Sequence, residues 1–451
     1  MITQLHIENF KAWADTGALR IAPLTGFFGT NSSGKTSLLQ LLLLLKQTAQ
    51  SLDRRQVLRL GDKDSLVDLG TFYDIVHAHR QDDTAVRFGL KWTPSNPLQI
   101  AGTKHALSLD EIAFEAAIRR WDNIVQVESF EYQGGNLRVG MRRKGQDDYD
   151  ISIEGYDVKR KQGRPAIIPA PVKFYGFPDE ALAEYQNAGF LADLALALEQ
   201  QLGRLIYLGP LREYPQRSYL WGEERPTDVG RRGELAMAAL LAANAAKMHF
   251  SRLPEPGRKR RKPVGIQERI AKWLKDMRLI DSFTLKPIAS NRKDYEVRIR
   301  KTARSSEVLI TDVGFGVSQI LPVLVLCYYV PEGSTLILEQ PEIHLHPSVQ
   351  ATLADVFIEV VKERRVQIIL ESHSEHLLHR LQRRMAEEQI TPEQVSLYFC
   401  SLSETSAQIE ELELDLFGNI RNWPKDFFGD QTGDLIAMTE AAMQRQLKAN
   451  V

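Results

Sequence analysis

Residues 29–36, GTNSSGKT, set two glycines with four residues between them and follow the second with lysine and threonine. Glycines let consecutive backbone N–H groups turn toward an anion, and a helix starting directly behind them adds the positive end of its dipole. In this spacing Gly29, Asn31, Ser32, Ser33, Gly34, Lys35, Thr36 and Ser37 read as a phosphate-binding loop. Lys35 would reach the terminal phosphates and the Thr36 hydroxyl would enter a Mg²⁺ shell. ATP and Mg²⁺ are therefore the expected ligands.

A second segment, STLILEQPE (334–342), is a short apolar run ending in acid, the pattern of a buried strand that delivers Glu339 to a metal. Thr36 and Glu339 are thus the expected metal ligands. Gln340 stands where a proton-accepting glutamate usually follows. An amide can orient water but cannot take its proton. Glu342 is the nearest carboxylate that could do so, and slow hydrolysis is the other outcome. VQIILESHS (366–374) is another buried strand with His373 just past its end, placed to sense a γ-phosphate. The expected catalytic set is Glu339, Gln340, Glu342 and His373. Ahead of these, Gly316, Val317, Ser318 and Gln319 open an apolar helix and read as a signature-type anion site. His344 and His346 read as a turn at an interface and not as a metal pair.

These groups must be held by an α/β scaffold. ITQLHIENF and IAPLTGFFG read as strands, followed by the leucine-rich helix behind the loop. Alternating segments between Thr71 and Ala170 read as antiparallel strands, and Pro178 to Leu202 reads as one helix. From Val308 onward, apolar strands alternate with helices, which predicts a parallel sheet covered on both faces. The expected division is 1–70 for the first ATPase half, 71–205 for a β-rich insertion, 206–305 for a helical, basic lobe and 306–451 for the second ATPase half. The two halves must meet in one sheet.

The chain has 451 residues, a formal charge of −1 and two cysteines, so neither a basic protein overall nor a disulfide framework is indicated. Cys327 and Cys400 lie in apolar runs and read as buried free thiols. The first residues show no secretory pattern and no apolar run is long enough to span a bilayer. A cytoplasmic location is the expectation. Basic runs at 258–262 and 159–164 are candidate phosphate-backbone contacts with DNA, although such runs are ordinarily solvated loops.

The order of these motifs resembles the SMC/ABC-type AAA ATPases, including OLD-like and RecF-like proteins. Within that group EQPEIHLHP (339–347), ESHSEHLL (371–378), YLGPLRE (207–213) and GNIRNWPKDFFGD (418–430) resemble the DUF3696 branch. The resemblance implies a split ABC/SMC-type P-loop head, with ATP bridging two copies of the chain across the 316–319 segment. It further implies a regulatory subunit of an anti-phage complex, similar to those of Septu and PARIS, controlling a separate effector such as a nuclease. A RecF-like or short SMC-like DNA-repair ATPase and a hydrolysis-poor scaffold are the alternatives.

Overall fold

A computed structural model describes residues 1–79, 84–100, 107–145, 148–161, 167–250 and 263–424, with 427, 436–443 and 445. Its centre is a six-stranded sheet in the order Leu205–Leu208, Thr335–Glu339, Gln367–Glu371, Leu24–Gly29, Val395–Leu402, Ala407–Glu411. Every neighbouring pair is parallel except the last. The N-terminal strand therefore sits inside the C-terminal α/β block, as the split-head reading requires. Its neighbour is the strand that leads to His373, and the strand ending in Glu339 lies one position further out.

Alternation along these strands divides the core. Phe28, Leu336, Leu338, Ile368 and Leu370 point to one side, where helices Phe315–Tyr329, Pro347–Arg364 and Glu375–Ala386 cover them. Phe27, Ile337 and Ile369 point to the other, against helix Lys35–Ala49. Leucines 38, 39 and 41–45 of that helix are all buried. A helix apolar all round needs cover on every side. The parallel sheet supplies one side, and a seven-stranded antiparallel sheet carrying Ile7, Phe88, Phe114 and Phe130 supplies the other.

That second sheet departs from the expected division. Its strand order is Tyr149–Glu154, Leu137–Arg143, Ile124–Gly134, Ile112–Trp121, Val86–Trp92, Ile2–Phe10, Trp13–Arg20. Residues 2–20 thus belong to the sheet assigned to 71–205, and the 70/71 boundary does not separate two bodies. The Trp13–Arg20 strand was not legible because an extra residue between Asp15 and Ala18, a bulge opposite His6–Glu8, breaks its period-two pattern. The 206–305 segment is likewise no separate lobe. Helices Ala236–Ala245 and Ile266–Asp276 share the core of Phe315–Tyr329. Arg269 donates to Glu359, Tyr328 donates to the same carboxylate at 2.6 Å, and Trp273 donates to Tyr328 at 2.6 Å.

The predicted helix over 178–202 is two helices, Asp179–Glu184 and Gly189–Gly203. Between them the Asn187 side chain accepts from Lys159 N–H at 2.9 Å and donates to the Asp157 carbonyl at 2.8 Å. The ladder breaks there because the backbone pairs elsewhere, Lys161 N–H donating to the Glu184 carbonyl at 2.9 Å and Gln186 N–H to the Lys159 carbonyl at 2.8 Å. The basic run 258–262 lies outside the described residues, as does Arg164 of the second run.

Candidate nucleotide site

Parallel strands deliver their last residues to one edge of a sheet, and ligands gather there. At this edge the loop after Leu24–Gly29 is held by its glycines. Gly29 has φ 136°, and a Cβ on it would lie 1.9 Å from the Cys400 carbonyl oxygen. Gly34 has φ 86° and caps the helix beginning at Lys35. The Trp13 indole N–H donates to the Gly34 carbonyl at 3.0 Å, so the antiparallel sheet also steadies the loop.

The Lys35 ammonium is buried and donates to the carbonyls of Thr30 at 2.6 Å and Gly29 at 3.1 Å. Desolvation lowers its pKa, while the charge of Glu371 opposes that shift. A cavity of about 390 Å³ opens beside it, lined by residues 31–37 together with Ala12, Gln340, Glu371 and His373.

Glu371 was not singled out as a ligand in the sequence, yet its Oε2 accepts from the Thr36 hydroxyl at 2.7 Å. It is also the only carboxylate lining the cavity among the described residues. Glu339, expected as the metal ligand, stands beside Glu371 in register on the neighbouring strand. Its side chain is 8% exposed and hydrogen-bonds the Tyr207 hydroxyl. Thr36 therefore meets Glu371 and not Glu339. The physical reason is strand order, because the Gln367–Glu371 strand lies between the loop strand and the Glu339 strand.

Glu342 also departs from its expected role as proton acceptor. It is 6% exposed, and its Oε1 accepts from the Ser372 hydroxyl and from His373 N–H, both at 2.7 Å. It does not line the cavity. Its carboxylate instead ties down residues 372 and 373. Gln340 does line the cavity, with φ 42° and its N–H donating to the Glu371 carbonyl at 2.9 Å. His373 lies at the same cavity; burial and then the charge of Lys35 lower its pKa, favouring the neutral ring. His346 caps the helix Pro347–Arg364, its ring accepting from Ser348 N–H. His344 is exposed and packs edge-on against Phe315 at 5.5 Å.

Among the described residues no group of three or more His, Cys, Asp and Glu is arranged to hold a metal. The oxygens of Thr36 and Glu371 nevertheless suit Mg²⁺, which binds through one or two carboxylates plus substrate phosphates. Gly316, Val317, Ser318 and Gln319 do not line this cavity; the side chains of Val317, Ser318 and Gln319 are buried in the core at the start of helix Phe315–Tyr329. Cys327 and Cys400 are buried free thiols. No helix among the described residues is long and apolar enough to cross a membrane.

Two adjoining carboxylates at a buried edge give a pH signature. Burial, then the charge of Glu371, raises Glu339 from 4.5 to about 7, with Tyr207 and Arg212 opposing. The folded state then holds a proton on Glu339 that the unfolded chain releases near 4.5. Stability from this group is present below about 4.5 and lost as pH rises toward 7. In urea denaturation without nucleotide, Glu339→Gln should gain on wild type between pH 5 and pH 8, by on the order of 1–3 kcal/mol. Parallel pH profiles for the two proteins would contradict this.

The sequence model described as AAA ATPase domain matches residues 1–122 and 260–378, more than half of the chain. The chain belongs to the AAA ATPase domain family. In this AAA ATPase a second model, described as a protein of unknown function (DUF3696), matches residues 390–437. A search of curated proteins gave no match. Among solved structures the chain is similar to an SMC head bound to the C-winged helix domain of ScpA, at 10% identity and TM-score 0.45, covering 92% of this chain and 98% of that one. It is also similar to the SMC head domain from Thermotoga maritima, at 11% identity and TM-score 0.41, covering 91% and 99%. A third is the Smc head domain with an extended coiled coil bound to the C-terminal domain of ScpA from Pyrococcus furiosus, at 9% identity and TM-score 0.43, covering 92% and 96%.

Proposed function

We propose that this AAA ATPase is a nucleotide-controlled head that binds Mg²⁺ and ATP, pairs with a second copy through them and turns ATP over slowly. The observation that carries the reading is the convergence of Lys35, Thr36, Glu371, Gln340 and His373 on one cavity. Lys35 meets the terminal phosphates. Thr36 and Glu371 offer oxygens to the metal, with Glu339 on the strand behind them. When bound, Mg²⁺ would neutralise charge on the phosphates. Gln340 orients the attacking water and His373 contacts the γ-phosphate. Turnover is slow because Gln340 accepts no proton and Glu342 is engaged by Ser372 and His373. The 316–319 segment serves the nucleotide held by the other copy, which agrees with its absence from the cavity of its own chain.

The resemblance to defence ATPases extends the reading to a regulatory subunit that holds a separate effector, a nuclease being the leading candidate, with DNA met by the basic runs. Light scattering of the purified chain tests the pairing. Mass should double on adding Mg²⁺ and ATP and return to the starting value as ATP is consumed. A mass indifferent to nucleotide would remove the pairing from this account.

A further inference from the structure

Gln350 stands near the start of helix Pro347–Arg364, half-buried and outside the nucleotide cavity. Its amide reaches two segments at once. Nε2 donates to the Leu345 carbonyl at 2.9 Å, and Oε1 accepts from the Ser374 hydroxyl at 2.6 Å. A carbonyl can only accept, so the nitrogen must face Leu345 and the oxygen is left for Ser374. Gln350 thus joins the turn after strand Thr335–Glu339 to the residues that follow strand Gln367–Glu371.

The same two segments meet again through Glu342. Its Oε1 accepts from the Ser372 hydroxyl and from His373 N–H, each at 2.7 Å. Ser374 N–H donates to Ser372 Oγ at 3.0 Å, and Leu345 N–H donates to the Glu342 carbonyl at 3.1 Å. These bonds close a ring through Glu342, Ser372, Ser374, Gln350 and Leu345. Glu342, Ser372 and Ser374 are buried, so a bond lost from the ring is costly.

Each side of the ring carries a group with a task elsewhere. On one side His373 lines the cavity between two tied serines. On the other side lies a turn in which Gln340 has φ 42° and His344 φ 61°. Left-handed backbone is unfavourable for a residue with a side chain, so this turn keeps its shape only where its surroundings hold it. His344 packs against Phe315, which is 43% exposed, and Phe315 packs against Tyr214, 70% exposed, at 5.8 Å. Phe315 begins the helix that carries residues 316–319.

We infer that Gln350 is a positioning residue for ATP-driven pairing, its two hydrogen bonds linking the γ-phosphate contact of His373 to the placing of His344 and Phe315 against the second copy. The role rests on the pairing proposed above and on the task given there to residues 316–319. Neither bond of Gln350 involves residues 29–37, so the affinity of a single chain for ATP does not depend on it.

Light scattering with Mg²⁺ and ATP or ADP would be measured on wild type, Gln350→Met and Gln350→Glu. ATP affinity would be measured beside it, at protein concentrations too low for pairing. Wild type should double its mass with ATP and not with ADP. Gln350→Met removes both bonds and should need about tenfold more protein to pair with ATP. Its ATP affinity should stay within about threefold of wild type, a split that a general packing defect would not produce. Gln350→Glu keeps the volume and the acceptor for Ser374 but loses the donor for Leu345, and it should show the same split. Pairing at the wild-type concentration in either variant, or a loss of ATP affinity equal to the loss of pairing, would overturn the inference. Should Gln350→Met fail to fold, Gln350→Glu decides. A wild type whose mass ignores ATP would remove the proposed pairing itself, and this role with it.

Discussion

Lys35→Ala is expected to reduce ATP turnover about 100-fold or more and to weaken ATP binding with it. The lysine stands at the start of a helix behind a loop whose shape is set by two glycines at positive φ, so its ammonium has a fixed address. It donates to the carbonyls of Gly29 and Thr30 and to the Ser33 hydroxyl at 3.3 Å. Those acceptors are loop groups, and removing the lysine leaves the buried leucines behind it in place. Circular dichroism and the thermal midpoint of Lys35→Ala should therefore stay near wild type while phosphate release is lost. Turnover that survives the substitution would mean that the ATPase activity of a preparation comes from elsewhere.

Glu371→Gln is expected to cost about 100-fold or more in turnover, a larger loss than Glu342→Gln causes. The amide keeps the shape of the side chain and its contact with Thr36, but removes the charge that a divalent ion requires. The Mg²⁺ concentration needed for half-maximal activity should rise in parallel, a change that a packing defect would not produce. Glu342→Gln instead perturbs a group turned toward Ser372 and His373, so it should leave the Mg²⁺ requirement unchanged. A Mg²⁺ titration of both variants separates them. If Glu342→Gln shifts the metal requirement and Glu371→Gln does not, the two carboxylates have been assigned the wrong tasks.

The phosphate loop was legible because its chemistry is local. Glycine spacing, lysine, threonine and the following helix all lie within one short segment, and the structure places them together. The split sheet was legible from strands too apolar for anything but a buried parallel position, and Leu24–Gly29 takes its place among them. Glu371 was less legible because its importance arises from strand order. Sequence places Glu339 in the usual metal position, and only the parallel register brings Glu371 between Glu339 and Thr36. The placement of Glu342 was less legible for a related reason. Proximity in sequence to Gln340 suggests the cavity, whereas the turn after the strand sends its carboxylate to Ser372 and the His373 N–H. The Trp13–Arg20 strand was hidden by a bulge, and the break near Tyr185 by a backbone bridge to Arg160, far away in sequence.

The claim beneath all of this is that the cavity beside Lys35 is a site for ATP with Mg²⁺ held by Thr36 and Glu371. Calorimetric titration of ATP into the purified chain, with Mg²⁺ and with a chelator, tests it most directly. The account predicts saturable binding that strengthens with Mg²⁺, and loss of that strengthening in Glu371→Gln while some metal-free binding remains. Binding of equal strength with and without Mg²⁺, or an undiminished Mg²⁺ effect in Glu371→Gln, would contradict it.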